Sequence, residues 1–411
     1  MDPTVWEKAQ RKNLAKMMRR AYEIPFYRER FDRAGVKPAD IRSAEDLNKL
    51  PALTKAEFRA WMAEQTPEKL GGCMKNHTSG STGTPLTTYL WPQDRAEESA
   101  NLLRCAMMQK KGYRFLTDRI VTVLTSDPTG QRTSTVPPRF NINPLDELSV
   151  QAEAFCRLRP AFVYGQSTSI YLLAAFAERQ KIVLPKPKCV GLIGEGVSDA
   201  AFACLKRVFG KDAVFDIYGC VEVGNFAVTK GEDCNTHYIW QDTHCVQLSP
   251  NSVTANGSQM HGRVMLTSLI HYGFPVINYA VGDEADAELL PDGRMVLTKI
   301  YGKANDQILN RDGSSFEYIR ITNLFKTIPQ ISQFRVIQKT YEELEVILAV
   351  PDTTKPERES IEAFVREKAA LLLKNDNPEN SKTLTFRFCD QIEPDQNGKV
   401  RCLICKINEN N

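Results

Sequence analysis

Between residues 119 and 218, short β-branched runs alternate with segments long enough for a helix, and this rhythm restricts the chain to few architectures. Arg119–Thr125, Phe162–Tyr164, Cys189–Ile193 and Ala213–Tyr218 read as strands. Thr168–Gln180 and Asp199–Phe209 read as helices, the second closed by Gly210. Strands joined through helices run parallel, because a tight hairpin only joins antiparallel neighbours. A largely parallel sheet covered by helices is therefore expected.

The flanking regions differ in texture. Residues 4–35 place Trp6, Ala9, Leu14, Met17, Met18 and Tyr22 at helical spacing, with Pro25 interrupting. Short capped helices are expected over residues 38–62, where Thr54 precedes Glu57, and a longer helix over Asp94–Lys111. Residues 126–145, rich in Pro, Thr, Ser and Asn, read as a loop. Residues 236–300 show short alternating strands. After Gly302 come a helix at Ile319–Ile328, strands at 333–339 and 343–350, a helix at Pro356–Lys374 and a strand at Thr383–Phe388. The expected fold is α/β. Residues 1–302 form a large domain of mostly parallel sheets flanked by helices, with a β-rich subdomain, and 303–411 a small α+β domain.

Composition narrows the function classes. The 411 residues carry 53 basic and 50 acidic side chains, a net charge of +3. This balance points away from nucleic-acid and membrane partners. No run of eighteen apolar residues occurs and the N-terminus is charged throughout, so a cytoplasmic protein is expected. Eleven cysteines, an odd and dispersed set, read as reduced thiols. Cys402 and Cys405 form a lone CxxC with apolar residues between them, read as two thiols in a strand. Cys234, His237, His244 and Cys245 suggest zinc, but residues 284–301 supply no second cysteine pair. They are read as buried side chains.

The segment with most chemical content is Asn76–Pro85, in which Thr78, Ser79, Ser81, Thr82 and Thr84 surround Gly80 and Gly83. Glycines let backbone N–H groups approach anionic oxygens and hydroxyls add donors, which suits a triphosphate. No Gly-Lys-Ser/Thr ends the loop, so it is not a Walker motif. On these residues alone a phosphate cradle and an ordinary flexible loop are both open.

TSGSTGTP resembles the phosphate loop of the adenylate-forming superfamily, which includes acyl-CoA synthetases and peptide-synthetase adenylation domains. Further segments resemble its motifs in the same order: Gly194-Glu195-Gly196, Tyr218-Gly219-Cys220-Val221-Glu222, Gly282-Asp283, Gly302-Lys303-Ala304-Asn305-Asp306 and Gly398-Lys399. The stretch from Ile24 to Arg59 is similar to the opening of phenylacetate–CoA ligases and CapK-type proteins. The resemblance implies ATP-dependent conversion of a carboxylic acid to an acyl-adenylate, in a cleft between the two domains. The loop from Thr78 to Thr84 would hold the β- and γ-phosphates. Gly194, Glu195, Gly196, Asp216, Tyr218 and Gly219 would border the nucleotide, with Asp283 on the ribose and Lys303 at the hinge. Glu222 would bind Mg2+, and Lys399 would bridge the carboxylate and the α-phosphate. ATP, Mg2+ and coenzyme A are the implied cofactors.

Some positions depart from the pattern. Leu86 stands where a lysine usually follows the loop, Lys303 where arginine is usual, Asn305 where the hinge aspartate is usual, and Asn278 where an arginine is common. Asn278 and the 126–145 segment point away from phenylacetate itself, leaving an aromatic or small hydrophobic acid as the expected class. The expected partners are that acid and coenzyme A or an amine, and self-association into a homodimer is a further expectation. An amide-forming ligase and a non-catalytic nucleotide-binding homologue are the alternative readings.

Overall fold

The computed structural model describes residues 3–65, 71–77, 86–109, 111–196, 198–230, 233–250, 253–256, 258–303, 307–312, 314–317, 325, 328–351, 353–372, 380–394 and 400–407. The chain forms two compact units, one from residues 1–110 and 215–302, the other from 111–214 and 303–411.

In the first unit, helices Pro3–Glu23 and Pro25–Arg33 divide at Pro25. Proline lacks the N–H a helix interior needs but suits the first turn, so one amphipathic stretch becomes two helices. Helix Lys55–Ala63 starts at a reciprocal cap: Thr54 accepts from the Glu57 N–H, and Glu57 accepts from the Thr54 N–H at 2.8 Å. Leu14, Met17, Phe31, Phe58 and Trp61 pack into one core with Leu266, Tyr279 and Leu297. Those last three belong to an antiparallel sheet in the order His244–Leu248, Gln259–Ser268, Tyr279–Leu289, Met295–Lys303, Asp233–Ile239, Gly224–Lys230, Val214–Cys220. This is the β-rich region expected over 236–300. Strands Met74–His77 and Thr87–Leu90 form a separate antiparallel ribbon, with Met74 opposite Leu90 and His77 opposite Thr87. Helix Pro92–Met108 starts two residues before the expected Asp94, because Pro92 fits its first position.

In the second unit, strands Ile120–Val123, Phe162–Gln166 and Cys189–Ile193 are parallel, with Ile120 opposite Phe162 and Phe162 opposite Cys189. Helices Ser167–Arg179 and Asp199–Phe209 follow the later two. Val121, Val163, Leu173, Leu192, Leu205 and Phe209 make the core between sheet and helices. The segment read as a loop instead holds two strands, Arg132–Ser134 and Arg139–Ile142, the second parallel to Ile120–Val123. Asn141 explains the misreading. It is fully buried, accepting from the Thr122 hydroxyl at 2.7 Å and donating to the Leu124 carbonyl at 2.9 Å. Satisfied polar residues can thus occupy a strand that composition assigns to a loop.

Residues 303–411 contribute a four-stranded sheet in the order Thr383–Cys389, Glu343–Ala349, Gln333–Gln338, Leu403–Cys405. Its outer strands run parallel to their neighbours, Glu343 facing Thr383 and Val336 facing Leu403. Helix Lys355–Leu372 supplies Ile361 and Val365 to a core with Val336, Val346 and Leu348. The helix expected at Ile319–Ile328 falls mainly outside the described residues. Cys405 lies in the closing strand and Cys402 just before it. No described helix is long and apolar enough to cross a membrane.

Candidate active site

The phosphate-loop candidates Thr78, Ser79, Gly80, Ser81, Thr82, Gly83 and Thr84 lie outside the described residues, between the paired strands Met74–His77 and Thr87–Leu90. Leu86, where a lysine is usual, is completely buried in the core of the first unit. That position faces inward, so an apolar side chain suits it.

Strand Val214–Cys220 carries Asp216, Tyr218 and Cys220 at alternate positions, hence on one half-buried face. The Tyr218 hydroxyl donates to Asp283 Oδ2 at 2.6 Å, a short charge-assisted bond. Burial, and then the Asp283 charge, push the phenol well above its usual pKa, so it remains a donor. Asp283 reaches this face from strand Tyr279–Leu289, just after Gly282, whose φ is +91°. Such a backbone favours glycine. Asp216 Oδ2 lies 2.9 Å from His237 Nε2, and the Asp216 N–H donates to the Thr229 hydroxyl at 2.8 Å. The structure therefore brings Asp216, Tyr218 and Asp283 together.

Glu222 sits in the turn joining strands Val214–Cys220 and Gly224–Lys230. The turn is tight. A Cβ on Gly219 would come within 2.7 Å of the Gly224 carbonyl and of Asn225 Oδ1. Gly224, at φ +72°, lies against Glu98. His244 holds the turn from beneath, its Nε2 lying 3.2 Å from the Val223 carbonyl. Burial, and then the nearby His271, lower the His244 pKa to about 3, so the ring is neutral and donates this bond from Nε2. Glu222 itself is buried. Its Oε1 accepts from the Tyr279 hydroxyl at 2.8 Å, and Lys55 Nζ stands 3.9 Å away. Burial, and then the Glu222 charge, raise the Tyr279 phenol, so this donor also stays protonated. Lys55 and Tyr279 surround this candidate carboxylate, and motif reading did not find them.

In the second unit, Gly194 (φ +86°), Glu195 and Gly196 follow strand Cys189–Ile193. Glu195 Oε1 accepts the Thr168 N–H at 3.1 Å, at the start of helix Ser167–Arg179, and the Glu195 carbonyl accepts from the Ser167 hydroxyl at 2.9 Å. A carboxylate is favoured at a helix N-terminus, and here it fixes the Gly194–Gly196 turn. Glu195 and Gly196 line a cavity of about 30 Å³ with Thr168, Ser198, Ser332 and Val400. Buried Ser198 donates to the Ser332 carbonyl at 2.7 Å. Lys399 lies outside the described residues, directly before Val400. Lys303 ends strand Met295–Lys303 and its side chain is not described.

The suggested zinc ligands have other partners. His237 bonds to Asp216 and His244 to Val223, while the Cys234 side chain lies outside the described residues. Among the described residues no group of three His, Cys, Asp or Glu could hold a metal ion. Asn278, at φ +49°, donates from Nδ2 to the Leu50 carbonyl at 2.7 Å, so it ties the N-terminal segment to the sheet.

No family model matches the sequence. Phenylacetate–coenzyme A ligase of Escherichia coli K12 is 27% identical over 323 residues, 73% of this chain and 71% of the relative. The enzyme of the same name from Aromatoleum evansii is 27% identical over 75% of this chain and 71% of the relative. Among solved structures, 2-hydroxyisobutyryl-CoA ligase in its postadenylation state with an acyl-AMP aligns at a TM-score of 0.73 and 18% identity. That alignment covers 98% of this chain and 90% of the other. The chain is thus similar in sequence to phenylacetate–coenzyme A ligases and has the fold of the 2-hydroxyisobutyryl-CoA ligase. An anthranilate CoA ligase complexed with anthranoyl-AMP shares the fold more distantly, at a TM-score of 0.53 and 15% identity over 79% of this chain and 65% of the other.

Proposed function

We propose that this chain activates a carboxylic acid with ATP as an acyl-adenylate, releases pyrophosphate, and passes the acyl group to coenzyme A. The observation that carries the reading is the Asp216, Tyr218 and Asp283 face beside a turn that presents a buried carboxylate, Glu222. Each falls where the family's motifs place a nucleotide contact. Both curated relatives are named as phenylacetate–CoA ligases, which supports coenzyme A as the acceptor.

The chemistry requires two anions, a carboxylate and a phosphate, to meet. The protein's part is to neutralise and orient rather than to form a covalent bond. The 78–84 loop donates N–H and hydroxyl groups to the phosphates. Asp283, aimed by Tyr218, accepts from the ribose hydroxyls. Glu222 is the residue that would hold Mg2+. A single hard carboxylate oxygen, oriented by Tyr279, suits an ion that takes its other ligands from phosphate and water. When bound, the ion neutralises phosphate charge. Lys399 brings a cation to the reacting oxygens, and its neighbour Val400 already borders Glu195 and Gly196.

The 303–411 region then rotates to admit the acceptor. This motion would have to break the Ser198–Ser332 bond. Asn305→Pro should spare acid-dependent ATP–pyrophosphate exchange and block thioester formation; equal loss of both would refute the rotation. The substrate is an aromatic or small hydrophobic acid. A panel of such acids, assayed for pyrophosphate release with and without coenzyme A, tests the whole reading. Release with an acid, and an acyl-CoA product when coenzyme A is added, are expected. Release with no thioester but an amide on adding an amine would favour the amide-forming alternative. No release with any acid would refute activation.

A further inference from the structure

The segment from Asn76 to Leu86 contains no lysine or arginine. Its glycines and hydroxyls offer hydrogen bonds, yet a triphosphate carries several full negative charges. Sites that transfer phosphoryl groups add Arg, Lys or Mg2+ to such donors. A side chain outside the segment is therefore expected to bring positive charge.

Lys55 is placed for this. It is the first residue of helix Lys55–Ala63, whose Phe58 and Trp61 share a core with Leu86, the last residue of that segment. Its side chain is 35% exposed, and Nζ stands 3.9 Å from Glu222 Oε1, too far for a hydrogen bond. Among the described residues no acceptor lies within hydrogen-bond distance of this ammonium. Arg30 differs: it pairs with Glu57 of the same helix at 2.9 Å and is also held by the Pro51 and Ala52 carbonyls. A cation at the positive end of a helix costs stability, so the fold gains nothing from a lysine at this position.

We propose that Lys55 contacts the β- and γ-phosphates of ATP and the pyrophosphate that leaves, supplying the positive charge that the 76–86 segment lacks. This rests on the nucleotide-activating reading above. The carboxylate oxygen of the acid bonds to the α-phosphorus while the bond from that phosphorus to the α–β bridging oxygen breaks. The electron pair stays on pyrophosphate, and the ammonium faces this growing charge. With Glu222 engaged by Tyr279 and committed to Mg2+, Lys55 is left for the phosphates.

Calorimetric titration of the full-length protein with ATP–Mg2+ and with AMP tests this, because AMP lacks the β- and γ-phosphates. Lys55→Met should weaken ATP at least tenfold and change AMP less than twofold. Lys55→Arg, which keeps the charge, should stay within threefold of the native chain for both. Equal weakening of both nucleotides in Lys55→Met would mean a purely structural role, and an unchanged ATP affinity would mean no phosphate contact; either result overturns the inference. The Mg2+ concentration that half-saturates the ATP complex should shift less than twofold. A shift as large as the ATP loss would mean that Lys55 acts through Glu222, and would overturn the direct contact. Should Lys55→Met fail to fold, Lys55→Gln makes the same comparison. A native chain that binds neither nucleotide would instead overturn the nucleotide-activating reading, and this one with it.

Discussion

Removing one oxygen atom tests the proposal that Tyr218 aims Asp283 at a ribose. Tyr218→Phe keeps the ring on Phe226 but deletes the donor lying 2.6 Å from Asp283 Oδ2. A hydrogen bond to a charged group contributes about 1.5–3 kcal/mol. Asp283 survives the change but is no longer aimed, so part of that amount should be lost in ATP binding, about 1–2 kcal/mol. At tenfold per ~1.4 kcal/mol, this is a roughly 5- to 30-fold weaker complex. Stability alone could mimic such a loss, so a second perturbation isolates the mechanism. Calorimetric titrations with ATP and 2′-deoxy-ATP form a cycle with the native and Tyr218→Phe chains. The missing 2′-hydroxyl should penalise the native chain most, and the penalty should shrink by at least ~0.5 kcal/mol in the variant. Because burial and the Asp283 charge hold the phenol well above its ordinary value, the coupling should be the same at about pH 6 and pH 9. Identical 2′-deoxy penalties in both chains would refute the claim that Tyr218 aims Asp283 at the ribose.

Three further outcomes are expected. Lys399→Ala should lower acid-dependent pyrophosphate exchange by about 10²–10³-fold, the usual cost of one transition-state contact, with ATP affinity nearly unchanged; a loss confined to ATP binding would argue against its catalytic role. Gly219→Ala should destabilise the chain by about 1–3 kcal/mol in denaturant titration, since the added methyl meets the Gly224 carbonyl at 2.7 Å; a neutral effect would mean the turn relaxes freely. Asp118 should contribute to acid stability. Burial alone would raise its pKa, but Lys188 at 2.7 Å and the Arg114 N–H at 2.7 Å outweigh this and lower it. The sign follows: the stabilisation is full above the unfolded carboxyl value, about 4, and is lost as pH falls through the lower folded value. Thermal melts of Asp118→Asn should therefore differ most from the native chain near neutrality and converge with it only in acid, below the lowered folded value.

What the sequence disclosed and what it hid follow from separation along the chain. Local signals were readable: the Thr54–Glu57 cap, the break at Pro25 and the parallel strands at 120, 162 and 189 all depend on neighbouring residues. The partners that surround Glu222 were not. Tyr279 lies 57 residues further on, and Lys55 comes from helix Lys55–Ala63, far earlier in the chain. No motif links such residues, since only the folded sheet brings them together. His237 was weighed as a zinc ligand and read instead as a buried side chain, but spacing could not name its partner. Its partner is a carboxylate on a strand 21 residues earlier. Strand Arg139–Ile142 was hidden for a different reason, because buried Asn141 satisfies its amide on the adjoining strand and so defeats any rule based on polarity.

The strand Leu403–Cys405 lies parallel to Gln333–Gln338, with Leu403 opposite Val336. A ribosome must extend the chain 67 positions beyond 336 before this pairing can close (403 − 336), and long closures of this kind come late because their entropy must be met before any contact forms. Lys399 lies just ahead of that strand. A nascent or partly folded molecule should thus have the Tyr218–Asp283 face assembled while the cation is still unplaced, so that it could hold nucleotide without yet consuming it.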